Sequence, residues 1–177
     1  MAESFERLGG ETKYEGKIAT VTVERFRHAD GEEVRREKVW HPGAVGILAY
    51  DEHQIWLTRQ PREVVDATAS LEIPAGKLDV EGETPLETGK RELAEEIGKR
   101  AARWEEIAAF YTSPGFTDER VWLYAATELS DAEAAEADEN ERIEVVRWPL
   151  ERLDEAISHC EDSKSLIALL WLSTELS

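Results

Sequence analysis

Apolar and polar residues alternate through the first forty residues of the chain, and this period of two predicts strands. Residues 14–26, YEGKIATVTVERF, are rich in β-branched side chains and predict one strand. The Asp30-Gly31 pair is a strong hairpin signal, and residues 32–40 return as a second strand. Because this segment has little apolar surface of its own, we expect residues 1–42 to form an antiparallel β-layer that packs on another surface, such as that of a second subunit.

Short apolar runs bounded by turn residues predict the rest of the fold. The expected strands span residues 44–50, 54–59, 104–111, 120–129 and 141–148. We interpret residues 64–70 as a loop. The expected final helices are 149–159 and 164–176, with core faces made of Leu150, Leu153 and Ile157 and of Leu166, Leu169 and Leu170. No repeat or long linker interrupts residues 43–177, which we expect to form one α/β sandwich.

A helical pattern in the middle of the chain separates acidic from apolar residues. At 100° per residue, Glu92, Glu95 and Glu96 lie on one face of this helix. The apolar face is formed by Leu86, Leu93 and Ile97. Because carboxylates on one face repel each other, we expect a hard cation such as Mg²⁺ or Mn²⁺ to neutralise them. The alternative is a solvated acidic helix, which is the commoner meaning of a glutamate-rich stretch.

The ends of this helix are marked by the residue types that helix termini prefer. Thr84 is the expected N-cap, with Pro85 at the first helical position and Glu87 at the third, which is a capping box. Gly98 is the expected glycine that ends the helix. The agreement of caps, spacing and glycines favours a functional loop–helix–loop over a solvated helix.

This stretch resembles the Nudix box, in which Gly, five residues, Glu and seven residues precede Arg-Glu-apolar-x-Glu-Glu-x-Gly. The matching residues are Gly76, Glu83, Arg91, Glu92, Leu93, Glu95, Glu96 and Gly98. Six residues rather than five separate Gly76 from Glu83, which lengthens the first loop and leaves the helix register intact. The resemblance implies an α/β fold, a Nudix-type α/β/α sandwich with a mixed sheet, with the N-terminal antiparallel β-layer added to it.

The resemblance also implies roles for the residues of the box. It assigns Mg²⁺, or Mn²⁺ in its place, to Glu92, Glu95 and Glu96 together with the carbonyl group of Ala75. The metal would neutralise developing negative charge and help to acidify the attacking water, and Glu95 is also a catalytic candidate. Glu83 and Arg91 are expected to brace the loop–helix–loop, and Gly76 and Gly98 are expected to be structural positions of the motif.

The residues that follow the box resemble the ADP-ribose pyrophosphatase branch of the family. Pro114 lies sixteen residues after Gly98, within the string Ser-Pro-Gly-Phe-Thr-Asp-Glu at residues 113–119. By this resemblance Ser113, Pro114 and Glu119 are candidates for substrate binding. A plain Pro-Gly turn is the alternative interpretation of this loop.

The resemblance extends to an arginine and to the N-terminal layer. Arg62 follows an apolar strand, where a guanidinium would grip a diphosphate, although an ordinary surface arginine is the alternative. Members of this branch bind adenine partly through the N-terminal layer of a second subunit. Lys17 and Ile18 occupy the matching place, and plain strand residues are an equally good interpretation of them.

Two further carboxylates are candidates for the general base. Residues 131–141 hold six acidic residues, most of which we interpret as a solvated loop. Glu139 and Glu141 precede the expected strand at 143–146, so a loop end is available to bring them to the metal. The Asp-Glu-Asn-Glu pattern here resembles the catalytic loop of ADP-ribose pyrophosphatases, and either glutamate could activate the water.

The resemblance therefore implies Mg²⁺-dependent hydrolysis of ADP-ribose to AMP and ribose 5-phosphate by a homodimer. Two alternatives remain open. One is a broader nucleoside diphosphate sugar pyrophosphatase, and the other is a non-catalytic Nudix module that binds ADP-ribose.

Composition narrows the classes of partner. The net charge is −18 without a run of Lys or Arg, which argues against nucleic acid and anionic membranes as partners. Cys160 is the only cysteine, so no disulfide framework is available. No apolar signal or membrane-spanning run is evident, and we expect a cytoplasmic protein.

Overall fold

The computed structural model describes residues 4–132 and 142–177. The chain divides into two compact units. The first combines residues 1–43 with 111–120, and the second combines 44–110 with 121–177. The expected domain boundary between residues 42 and 43 stays a prediction, and the loop at 111–120 groups with the N-terminal strands.

The first unit contains a three-stranded antiparallel sheet in the order β1–β2–β3. Its strands are β1 (Phe5–Glu15), β2 (Thr20–His28) and β3 (Glu33–Trp40). The prediction of one strand over residues 14–26 was wrong, because the chain turns at residues 16–19 and the residues before them form a strand of their own. The turn was missed since Gly16 is its only glycine or proline and residues 18–23 are rich in β-branched side chains.

A buried carboxylate lies within this β-layer. Glu24 is almost fully buried in β2 and accepts hydrogen bonds from the Arg7 guanidinium and, at 2.9 Å, from the Thr22 hydroxyl. A Cβ atom on Gly10 would lie only 2.8 Å from this carboxylate, so the glycine leaves room for it. The hydrogen bond from Arg7 is the main reason that the pKa of Glu24 is lowered.

The other strands form a seven-stranded mixed sheet. They are β4 (Ala44–Tyr50), β5 (Gln54–Arg62), β6 (Ala67–Glu72), β7 (Ala75–Lys77), β8 (Lys99–Tyr111), β9 (Arg120–Asp131) and β10 (Glu144–Pro149). The main order is β10–β5–β4–β9–β8, with β6 paired to β5 and β7 paired to β4. The β4–β9 pair is parallel, whereas β5 is antiparallel to β4, β6 and β10.

Helices cover both faces of this sheet. They are α1 (Pro85–Ile97), α2 (Leu153–His159) and α3 (Ser163–Glu175), with short 3-10 turns at Glu63–Val65 and Leu150–Arg152. Along β4, alternate side chains enter two different cores: Ile47 packs with Leu93 of α1, and Leu48 packs with Leu169 of α3. The predicted α/β/α sandwich with a mixed sheet is therefore confirmed. None of the helices within residues 4–132 and 142–177 is long and apolar enough to cross a membrane.

Two local predictions in this unit were wrong. Residues 64–70 are not a loop, because Ala67–Glu72 pairs antiparallel with β5 as β6. Leu170 does not belong to the core face of α3, since 48% of it is exposed, whereas Leu169 and Leu172 are buried. Leu172 belongs to the face that packs on the sheet, and the stretch is apolar enough that its sequence pattern does not single out that face.

Helix α1 has the predicted ends. The Thr84 side chain accepts a hydrogen bond from the backbone N–H of Glu87, and the Glu87 carboxylate accepts one from the backbone N–H of Thr84. Gly98 adopts a left-handed conformation with φ of 65°, and its N–H donates to the Ala94 carbonyl group at 3.1 Å. Both ends of α1 are thus set by local residues, and this places its acidic face.

We expect Thr84→Ala to lower the free energy of unfolding by about 1 kcal/mol, because the N-terminal N–H groups of α1 lose their side-chain acceptor. Urea titration at neutral pH measures this change. Thr84→Ser is the matched control, since it keeps the hydroxyl group and should retain most of the stability. Equal losses in the two variants would show that the cap contributes nothing.

Candidate active site

The acidic face of α1 lies directly against β7. The Glu92 side chain runs past Gly76 so closely that a Cβ atom there would lie 2.1 Å from Glu92 Oε1. One helical turn further on, the Glu96 carboxylate accepts a hydrogen bond from the Ala75 N–H at 3.1 Å. Glycine at residue 76 is therefore a steric requirement of this contact. It brings two glutamates of the box up to the backbone of residues 75–76.

Arg91 links the glutamates of the box to the loop before the helix. Its Nη1 atom lies 2.9 Å from Glu92 Oε1 and 2.8 Å from Glu95 Oε2, and its Nε atom lies 3.3 Å from Glu83 Oε1. Burial by itself would lower the pKa of Arg91, but the charge of Glu92 and the hydrogen bonds to Glu83 and Glu95 raise it. Arg91 thus stays charged and offsets the repulsion between neighbouring carboxylates.

The longer first loop keeps Glu83 within reach of the helix. Gly82 takes a φ of 88°, and the Glu83 N–H donates to the Val80 carbonyl group at 3.3 Å. The Glu83 carboxylate also accepts a hydrogen bond from the Thr88 hydroxyl at 3.0 Å. The additional residue is absorbed in this turn, and Glu83 contacts both Arg91 and Thr88.

Glu92, Glu95 and Glu96 are half-buried on the predicted face. Within residues 4–132 and 142–177, no group of three or more His, Cys, Asp or Glu side chains is arranged to hold a metal ion. The contacts explain this arrangement: Arg91 is the counter-charge of Glu92 and Glu95, and Glu96 is turned to the backbone of Ala75. The assignment of a metal to these residues stays a prediction.

Arg62 belongs to a buried ionic cluster that sequence reasoning missed. Its Nε and Nη2 atoms donate to the two carboxylate oxygens of Glu72, each at 2.7 Å. The Glu72 side chain is only 2% exposed, and Lys164 donates to its Oε2 atom at 2.8 Å. Arg62 is therefore not an ordinary surface arginine, because its orientation is held by a buried bidentate partner.

The charge state of Glu72 follows from these partners. Burial on its own would raise the pKa of Glu72, but the hydrogen bonds from Arg62 and the charge of Lys164 outweigh it and lower the pKa to about 2. The Glu72 carboxylate is thus ionised at neutral and mildly acidic pH.

The candidates from the N-terminal layer and the loop at 111–120 lie in the first unit. Lys17 and Ile18 are exposed in the turn between β1 and β2. The Ser113 carbonyl group accepts hydrogen bonds from two N–H groups of the loop, and the Glu119 carboxylate accepts one from the Thr112 hydroxyl at 2.7 Å. Pro114 is exposed and lines a groove of about 640 Å³.

The groove of the first unit is lined largely by aromatic and apolar side chains. These include Phe5, Phe26, Val34, Tyr111 and Phe116. Both general-base candidates, Glu139 and Glu141, lie outside the described residues.

Sequence signals for the missed residues were weak. Glu72 stands between Leu71 and Ile73 just before the box, where a buried acidic residue is unusual, and this oddity was the available signal. Lys164 lies about ninety residues further along the chain, and only the packing of α3 on the sheet brings it to Glu72.

Comparison with known proteins identifies the class to which this site belongs. A family model described as the NUDIX domain matches residues 40–170. The chain therefore belongs to the Nudix family, and it is a Nudix hydrolase.

Relatives within the family cover most of the chain. An "ADP-ribose pyrophosphatase" of Bacillus subtilis (strain 168) is 42% identical over 93% of this chain and 90% of its own length. A "Methanol dehydrogenase activator" of Bacillus methanolicus is 36% identical over 99% of this chain and 97% of its own. A solved structure titled "Crystal structure of ADP compounds hydrolase" has a TM-score of 0.85 over 98% of this chain and 94% of its own, at 23% identity, and shows the shared fold.

We expect Gly76→Ala to weaken Mn²⁺ binding about tenfold or more, because the new methyl group would displace the Glu92 carboxylate. Calorimetric titration with Mn²⁺ measures this loss. Gly115→Ala is the control for metal binding, since a Cβ atom there meets no heavy atom within 4 Å. Wild-type affinity in Gly76→Ala would exclude Glu92 as a ligand.

We expect Glu72→Gln to lower the free energy of unfolding at pH 7 by about 2 kcal/mol or more, because Arg62 and Lys164 lose their buried counter-charge. The folded pKa of Glu72 lies below the ordinary 4.5, so its contribution is complete above that pH and is lost as the pH falls towards 2. The difference between wild type and variant should therefore shrink by about 1 kcal/mol between about pH 7 and pH 3.5.

Urea titrations at several pH values measure this difference. Glu144→Gln is the matched control, since Glu144 forms an exposed ion pair with Arg59 at 3.1 Å and should contribute less than about 1 kcal/mol throughout. A difference for Glu72→Gln that does not depend on pH would contradict the lowered pKa.

Proposed function

We propose that this Nudix hydrolase cleaves the diphosphate bond of ADP-ribose and releases AMP and ribose 5-phosphate. The observation that carries the proposal is the acidic face of α1 packed against Gly76, with Arg62 held by Glu72 in the same unit. The relatives that are named ADP-ribose pyrophosphatases, at 42% and 39% identity, support the choice of substrate. A diphosphate needs both a cation and a guanidinium, and this unit supplies residues suited to each.

The donor set fits a hard divalent cation. Glu92, Glu95 and Glu96 offer carboxylate oxygens, and Ala75, whose backbone N–H donates to Glu96, would add its carbonyl group from β7. Oxygen ligands of this kind suit Mg²⁺ or Mn²⁺. Together with Arg91 the three glutamates still carry a net negative charge, which a divalent cation would offset. When bound, the cation would polarise the diphosphate and lower the pKa of the attacking water.

The remaining steps fall to side chains of this chain. Arg62 would bind phosphate oxygens with its exposed edge, since 44% of its side chain is accessible although Glu72 holds its other edge. Glu139 or Glu141 would accept the proton of the attacking water, and Glu95 would support this base from the helix. Water would attack the adenosine-side phosphorus, so its oxygen would end up in AMP.

Lys17 and Ile18 would contribute to adenine binding, and Ser113, Pro114 and Glu119 would contribute to substrate binding. We place these residues in a cytoplasmic homodimer in which the second subunit completes the site. The exposed position of Lys17, Ile18 and Pro114 supports this assignment, because a ligand can reach them.

A panel of substrates also distinguishes two other functions. A broader nucleoside diphosphate sugar pyrophosphatase would cleave several sugar nucleotides at comparable rates. A non-catalytic module would bind ADP-ribose without cleaving it. The complete set of box glutamates favours catalysis over the module, because a module that only binds has no use for a charged metal face.

We expect kcat/KM with Mg²⁺ to be highest for ADP-ribose in a panel that also contains sugar nucleotides, NADH and dinucleoside polyphosphates. Chromatography of the products should give AMP and ribose 5-phosphate in equal amounts. Hydrolysis in ¹⁸O-water should label AMP. Comparable rates across the sugar nucleotides would favour the broader enzyme.

We expect Glu96→Gln to lower kcat about 100-fold or more, because even outer-shell partners of metal ligands account for about 10–100-fold. Glu139→Gln should lower kcat by about 100-fold through loss of the general base. Glu81→Gln is the control, since Glu81 is an exposed loop glutamate outside the box face. Wild-type turnover by both Glu96→Gln and Glu139→Gln would refute these roles.

A further inference from the structure

A buried ionic network joins the last helix to the segment before the acidic helix. Glu72 lies at the end of β6, and its carboxylate receives three hydrogen bonds from two cations. Arg62 supplies two of them, and Lys164, in the first turn of α3, supplies the third at 2.8 Å. Lys164 and Arg62 therefore share one buried counter-charge.

The first turn of α3 holds Lys164 in place. The Lys164 ammonium group also lies 2.9 Å from Asp162 Oδ1, and the Ser165 N–H donates to Asp162 Oδ2 at 2.9 Å. The fully buried Ser165 hydroxyl in turn accepts a hydrogen bond from the Ile73 N–H at 2.8 Å. The contacts close a ring that runs from Glu72 through Lys164, Asp162 and Ser165 back to Ile73.

This ring makes Lys164 a rigid partner for Glu72. The Lys164 side chain is only 13% exposed, so its ammonium group has little freedom to move into solvent. Desolvated charges interact strongly, and the remaining lone pairs of a buried carboxylate need further hydrogen bonds, one of which Lys164 donates. With Lys164 present, Glu72 Oε2 accepts hydrogen bonds from both Lys164 and Arg62. Glu72 therefore orients the Arg62 guanidinium, while Arg62 supplies only part of the positive charge that neutralises the carboxylate.

The charges around Arg62 include one from the acidic face of α1. The pKa of Arg62 is raised chiefly by its hydrogen bonds to Glu72, and the charges of Asp162 and Glu96 raise it further. Glu96 belongs to the metal face of α1. Arg62, the Glu72 ring and the acidic face of α1 all belong to one compact unit.

We propose that Lys164 is a positioning residue for substrate binding. It acts through Glu72, which orients the Arg62 guanidinium and offsets part of its charge. The inference rests on the proposed function in one respect, namely that Arg62 binds the diphosphate. It assigns a role in ligand affinity to a residue of the last helix that would otherwise be a structural anchor.

The direct test is the affinity of the non-hydrolysable α,β-methylene analogue of ADP-ribose, measured by calorimetry with Mg²⁺ present. We expect Lys164→Met to raise the Kd about five- to tenfold, because Arg62 is then the only cation that neutralises the Glu72 carboxylate. In turnover assays the KM for ADP-ribose should rise by a similar factor while kcat changes less than about twofold, since diphosphate binding by Arg62 is made in the ground state as well.

A double-mutant cycle distinguishes positioning from anchoring. Arg62→Met removes the group through which Lys164 acts, so adding Lys164→Met to it should raise the Kd by less than about twofold. Lys164→Arg should restore the affinity to within about threefold of wild type, because the charge opposite Glu72 is kept. Lys164→Gln repeats the test with a shorter polar side chain in case the apolar variant folds poorly.

Lys99→Met is the matched control. Lys99 is similarly buried, with 19% exposure, and pairs with Asp131 on another part of the sheet. It should change thermal stability without changing the Kd.

The outcomes separate this inference from the proposed function. Suppose that the wild type hydrolyses ADP-ribose but Lys164→Met has no effect on the Kd, or an effect that simply adds to that of Arg62→Met. This result would overturn the role of Lys164 and leave the proposed function standing. Because the Kd requires no turnover, a non-additive cycle would support Lys164 even if the wild type hydrolysed nothing. Failure of the wild type to bind the analogue would overturn both.

Discussion

The close contact between Glu92 and Gly76 is the constraint on which the acidic site depends. The Glu92 side chain of α1 occupies the space that a side chain at residue 76 would need, and Glu96 accepts a hydrogen bond from the backbone of Ala75 on β7. Carboxylates held this close to each other are costly without a counter-charge. Arg91 supplies it in part, and Glu83 holds Arg91 from the loop. One connected set of ion pairs therefore holds the loop–helix–loop together.

A second group of ion pairs surrounds Glu72. The Glu72 carboxylate, with 2% exposure, is stable in its ionised form only because Arg62 and Lys164 donate hydrogen bonds to it. Arg62 lies near the start of the second compact unit, and Lys164 lies near its end. The ion pairs hold β5, β6 and α3 together at the point where the chain enters the box. They also orient Arg62. If Arg62 binds the diphosphate as we propose, stability and ligand binding depend on the same buried charge.

Local signals predicted the parts of the fold that depend on neighbouring residues. The caps of α1 involve Thr84, Glu87 and Gly98, all within a few residues of the helix ends, and the structure has them as predicted. The predictions failed where long-range pairing decides. β6 forms because β5 is there to pair with it, although its sequence resembles a loop. Leu170 is exposed because the direction of packing of α3, not its composition, selects the buried face.

The candidate site divides in the same way. The order of residues along the chain was enough to predict the acidic face and membership of the Nudix family, because these depend on a motif of about two dozen consecutive residues. Only the tertiary structure decided that Arg62 is held by Glu72 and that Lys164 shares this carboxylate. Lys164 and Glu72 are about ninety residues apart in sequence, and Arg62 and Glu72 are ten residues apart on paired strands. A buried charge selects its partners by distance, which only the packing of the sheet and of α3 against it determines.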